Sequence, residues 1–186
     1  MNGARKINAI TGSSAGYNAG MSDIPASHRL IDLSPDEPLH PNIQRLYQYW
    51  LGLAPERHLP EWRLPGRQHI DPLSFPDLLP GIWMLDVERN PLRFRYRLAG
   101  TRIVEAAGRE VTGLYMDEAH LHASQQPGGL ARYADAADHG RPSRRKGKAT
   151  LWQHKDYRQV ENILLPLARD GETVDMLLVY TQLFTE

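Results

Sequence analysis

Eight histidines and no cysteine set the chemical repertoire of this 186-residue chain. His120 and His122 stand two apart in MDEAHLH. On a strand that spacing puts both imidazoles on one face, where a metal could bind, yet no third ligand completes a pattern. His139 falls at the end of a predicted helix, where the helix dipole alone favours an imidazolium. The lack of cysteine removes disulfides, zinc–thiolate sites, iron–sulfur clusters and thiol nucleophiles together. Asp117 and Glu118 are adjacent, so on a helix they diverge instead of forming an acid–base pair. GxSxG, GxxxxGK[ST], GxGxxG and HExxH are all missing. The sequence therefore predicts neither an enzyme nor a metal protein.

Two basic stretches offer a different chemistry. RPSRRKGK, residues 141–148, holds five cations and no acid, including Arg144, Arg145 and Lys146. Nucleic acid held there would bind electrostatically, with a steep salt dependence. A solvated loop entering a strand, neutralised by Asp135 and Asp138, explains the run with fewer assumptions. In LRFRYRL, residues 92–98, Arg93, Arg95 and Arg97 alternate with Leu92, Phe94, Tyr96 and Leu98. Strand side chains alternate between faces, so this reads as an apolar face and a wet or ion-paired one. Nucleic acid is thus not the expected partner. Overall charge agrees, since 22 Lys and Arg balance 22 Asp and Glu and leave no global field. No apolar run approaches bilayer length, and no apolar region follows Arg5 and Lys6, so a cytoplasmic chain is expected.

The elements that must position these residues follow from periodicity. Residues 1–27 are rich in Gly, Ser, Asn and Ala, and 28–40 carry prolines and acids, so 1–40 reads as a flexible or irregular lead-in to a domain spanning 41–186. Pro41 suits a first helical position, and Ile43, Leu46, Tyr47, Trp50 and Leu51 form one apolar stripe of a helix over 41–54. A proline-dense stretch follows. Ile82 to Glu88 and Leu92 to Leu98 make a hairpin about Arg89-Asn90-Pro91. A helix capped by Thr101 ends at Gly108, and another carrying Leu130, Tyr133, Ala134 and Ala137 ends at Gly140. Strands are expected over 147–154, 157–167 and 173–184, the last two joined by Arg169-Asp170-Gly171. Strands flanking a helical block describe an α+β domain on one antiparallel sheet.

This order from Ile82 to Phe184 resembles a bacterial PAS-like domain family whose members are mostly uncharacterised. The stretch LRFRYRLAGTRIVEAAGREVTG carries most of the resemblance. Tyr49-Trp50, Asp71-Pro72 and Leu78-Leu79-Pro80 extend it over about residues 41–184. The resemblance implies an antiparallel five-stranded sheet with short helices on one face and an N-terminal amphipathic helix. It further implies a sensory or interaction module, often a homodimer, that binds a small molecule or a partner signalling protein. Cysteinyl-flavin photochemistry is excluded for want of a cysteine. Haem would look to His139, which the helix dipole already explains, so no cofactor is assigned.

On that fold, Phe94, Tyr96, Ile103, Tyr133, Ile163, Leu165, Leu177 and Val179, with Trp152, are the candidate lining of a ligand cavity. The same residues would equally make a dry core. The final strands are apolar on both faces, which asks for a lid. The 41–54 helix is that lid, supplied by its own chain or by a second copy. Ile43, Leu46, Tyr47, Trp50 and Leu51 are therefore the candidate dimer or partner interface.

Overall fold

The computed structural model describes residues 29–53, 63–121, 130–149 and 159–184. Its N-terminal helix, α1 (Pro41–Gly52), starts where Pro41 presets the first turn and His40 Nδ1 accepts the Asn42 N–H at 3.2 Å. Three short 3-10 turns follow at 67–69, 72–74 and 76–81, because repeated prolines deny the segment a longer helix. The hairpin β2 (Ile82–Glu88) and β3 (Arg93–Ala99) leads into α2 (Thr101–Ala107) and α3 (Met116–Ala119). Then come α4 (Ala131–His139), β4 (Ser143–Gly147), β5 (Gln159–Leu167) and β6 (Met176–Phe184). Gly108 and Gly140 end α2 and α4 in the left-handed conformation, at φ 71° and 63°.

A two-residue strand, β1 (Ile31–Asp32), pairs parallel with β4, so the sheet has six strands where five were expected. The order is β1-β4-β5-β6-β2-β3, and every pairing except β1–β4 is antiparallel. Residues 29–40 are thus tied to the domain instead of preceding it. Residues 1–28 lie outside the described part of the chain.

The two faces of the sheet are covered by different helices. On one, called here the outer face, Trp50 Nε1 donates to the Pro166 carbonyl at 2.9 Å and Asn42 Nδ2 to the Tyr180 hydroxyl at 3.0 Å. Ile43, Leu46, Tyr47, Trp50 and Leu51 are all buried there within the single chain. These residues, expected at a dimer or partner interface, are here packed against their own sheet. The lid comes from the same molecule, because 12 residues of helix suffice to cover the apolar backs of β5 and β6. On the other, inner face lie α4 and an aromatic layer.

The basic run at 141–148 holds a strand. β4 occupies Ser143–Gly147, earlier than the expected 147–154, most of which lies outside the described residues. Arg144 is fully buried on the outer face. Its Nε meets Glu161 Oε1 at 3.1 Å and its Nη1 meets Asp32 Oδ1 at 3.0 Å. Nη1 also reaches the Ser34 carbonyl, and Nη2 the Pro38 carbonyl at 3.3 Å. Burial works against the charge, but the two carboxylates outweigh it and raise the Arg144 pKa. Lys146 pairs with Glu37. These two cations tie the lead-in to the sheet, Arg144 from a fully buried position and Lys146 through Glu37.

Candidate functional site

The inner face is built around Trp83 of β2. Its indole stacks on Tyr96 at 5.4 Å between ring centroids, lies 6.2 Å from Tyr133, and donates Nε1–H to Thr181 Oγ1 at 3.0 Å. Phe94 lies 5.9 Å from Tyr133. The Tyr96 hydroxyl sits 2.8 Å from His120 Nε2, and both groups are buried. Burial pushes the Tyr96 phenol well above its ordinary range and raises that of Tyr133 too. Of the expected cavity lining, Phe94, Tyr96, Tyr133, Leu177 and Val179 meet on this face, and Ile103 is buried in α2.

Ile163 and Leu165 belong elsewhere. They pair with Tyr180 and Leu178, so they share the outer face beneath α1, while Leu164 and Pro166 pair with Val179 and Leu177. The β5 sequence VENILLPL is apolar at consecutive positions, which hides its parity. Trp152 and His122 lie outside the described residues. His139 is exposed, with Nδ1 3.1 Å from Asp135 Oδ1. Among the described residues no group of three or more His, Asp or Glu gathers to hold a metal.

The arginine strand divides its work. Arg93 Nη2 bonds Asp117 Oδ1 and Glu118 Oε1, each at 2.8 Å, so the two adjacent acids converge on one guanidinium after all. Arg93 also lies over the Tyr115 ring at 3.5 Å and is held firmly protonated, first by Asp117. Asp117 is correspondingly pulled below the usual carboxylate range. Arg95 sits 2.9 Å from Glu88 and 3.6 Å from Asp86.

Arg97 breaks the pattern. Met84 pairs with Leu98, but the next β2 residue, Leu85, pairs with Tyr96. Arg97 is the extra residue of a β-bulge, and the bulge turns Leu98 away from the face of Phe94 and Tyr96. Simple alternation had put Leu98 inside; it is 44% exposed on the outer face. There it joins Ile82, Met84 and Leu178 as the floor of a groove of about 510 Å³. Ile70, Phe75 and Leu79, with three prolines of the 3-10 turns, form the walls, and Gly100 and Thr101 at the start of α2 close one end. Gly100 is there because a side chain does not fit. A Cβ would meet the carbonyl oxygens of Leu79, Pro80 (2.6 Å) and Ile82 (2.8 Å). The groove's polar groups are few, and Arg67 is the charged residue among its lining.

A mixed sheet with a helical inner face, an N-terminal helix across its back and this element order matches a known family. The family model described as "PAS domain" matches residues 39–181. The chain belongs to the PAS domain family. No curated protein and no solved structure matches it significantly. Membership places this PAS domain among sensory and regulatory modules in general and assigns it no particular ligand. No helix among the described residues is long and apolar enough to cross a membrane.

Proposed function

We propose that this PAS domain is a regulatory module without catalysis, and that its outer-face groove takes a small, largely apolar molecule. The observation that carries the reading is the bulge at Arg97, which sacrifices strand regularity and turns Leu98 into a concavity of about 510 Å³. Ligand pockets fall at about 300–1,000 Å³ and are mostly apolar with a few polar groups. Bulges are also used to re-aim single side chains beside functional sites. The inner face, by contrast, has its described aromatics packed on one another.

The groove suits a switch because its floor and walls belong to different parts of the chain. The floor is sheet; the walls are the 70–80 segment, and that segment is anchored to α1 by the Arg45–Asp77 ion pair. A guest bridging floor and wall favours whichever packing of that segment it fits better, and populations shift accordingly. The exposure of Leu73 (81%) next to groove residue Pro72 supports a second reading, in which the guest is an apolar surface of a second copy.

Thermal denaturation of the intact chain with octanol, indole and 2-naphthol tests the proposal, alongside Leu98→Glu. Leu98 is half exposed, so the variant folds. The expected result is a saturable rise in melting temperature for at least one compound, lost in Leu98→Glu. Equal responses in both proteins, or none in either, would overturn it. A groove that pairs two copies would show as a changed sedimentation coefficient in Leu98→Glu with no small-molecule response.

A further inference from the structure

The inner face carries a concentration of positive charge that no acid among the described residues answers. Arg132, in the first turn of α4, donates Nε–H to Ser143 Oγ at 2.8 Å and Nη2–H to the Ser143 and Asn162 carbonyls at 2.7 and 3.3 Å. Its Nη1 bonds Asn162 Oδ1. All four acceptors are neutral. Burial is the main reason its pKa falls to about 10, and the nearby Arg145 lowers it further.

Arg145 shares this face with Ser143 by strand alternation and pairs in register with Asn162. Of its five N–H donors, one bonds within the described residues, to the Lys148 carbonyl at 3.0 Å. The neighbouring acids are committed elsewhere. Asp135 holds Arg141 and His139, and Glu161 holds Arg144 on the opposite face. Arg132 moreover sits at the positive end of α4, whose first turn has no side-chain cap, where a cation is disfavoured. A half-buried cation beside a second cation and a helix N-terminus is costly as it stands. An anion bound there is attracted by both guanidinium groups and by the helix N-terminus, and so offsets that cost.

We propose that Arg132 and Arg145 form an oxyanion site on the inner face, taking the carboxylate or phosphate group of a small molecule. Arg132 is the fixed half, locked by Ser143 and Asn162. Arg145 is the adjustable half, with its remaining donors to give. This site is separate from the outer-face groove and stands or falls without it.

The test follows the melting temperature of the intact chain while inorganic phosphate or succinate is titrated at constant ionic strength held with sodium chloride. Arg145→Gln is run in parallel, since Arg145 is partly exposed and its replacement leaves the Arg132 clamp in place. A specific site gives a saturating rise with at least one anion, and Arg145→Gln weakens that anion's apparent affinity tenfold or more. Which anion responds distinguishes a carboxylate site from a phosphate site. General salt exclusion also raises stability, but without saturation and equally in both proteins. No saturating rise with either anion, or the same saturating rise in Arg145→Gln, would overturn the proposal and leave Arg132 as a clamp between α4 and the sheet. Leu98→Glu, which removes the groove, leaves the anion response unchanged.

Discussion

Replacing Arg144 with methionine tests how the sheet's edge is held. Arg144 has no solvent exposure, Glu161 has 1%, and Asp32 has 26%. Loss of the guanidinium leaves Glu161 a buried carboxylate whose described remaining donor is the His40 N–H at 3.0 Å. Stranding one partner of a buried pair costs about 3–5 kcal/mol. Against a total stability of about 5–15 kcal/mol that is about a fifth or more. At roughly 2–4 °C per kcal/mol for a chain of this size, the melting temperature should fall by roughly 6–20 °C. Circular dichroism reads the fall, and limited proteolysis should cut within residues 29–40 faster than in the parent, since Arg144 holds the Ser34 and Pro38 carbonyls there. Arg144→Met combined with Glu161→Leu should recover most of the loss, because both buried charges then go together. A single variant melting within about 2 °C of the parent would refute the reasoning, since that corresponds to less than about 1 kcal/mol.

Other expectations follow from single contacts. Gly100→Ala drives a Cβ into three backbone carbonyls that cannot step aside, so urea denaturation should show a loss of at least about 1–3 kcal/mol. Leu46→Ala opens a fully buried site under α1 and should cost about 2–5 kcal/mol. Because that site is intrachain, the sedimentation coefficient of the folded variant should stay that of the parent. Asp117 is depressed in the folded state by Arg93, so its contribution is present above its ordinary value near 4 and disappears as pH falls through the lower folded value. Both side chains are partly exposed, so solvent screening keeps the amount small. Asp117→Asn should therefore flatten the stability profile slightly below about pH 4 and leave it unchanged in slope near neutrality.

Much of this architecture was legible from periodicity. The α1 stripe, the β2–β3 hairpin and the two glycine-ended helices stand where spacing puts them, because each has one apolar face and a residue that stops it. What periodicity cannot carry is parity and pairing. The β5 strand is apolar on both sides, so only its register with β6 assigns Ile163 and Leu165 to the outer face. The Arg97 bulge leaves no mark in LRFRYRL, since the pattern on either side of it is intact. β4 was hidden by composition, its Arg-Arg-Lys core looking like solvent until Glu161 and Asp32 supply partners from 17 and 112 residues away. The candidate groove escaped for the same reason, as its residues come from the turns at 70–80, the hairpin and β6. Arg132 was invisible as a site because a lone arginine on a helix is ordinary until its neighbours prove to be neutral.

The central claim is that the regulatory groove lies on the outer face of the sheet, and methionine-methyl NMR tests it most directly. The chain has five methionines. Met84 lines the groove, whereas Met116 is buried in α3 away from it. With selectively labelled protein and whichever of octanol, indole or 2-naphthol raises the melting temperature, the Met84 methyl resonance should move in proportion to occupancy while Met116 stays still. Movement of Met116 with Met84 unmoved would place the guest on the helical side and contradict the account.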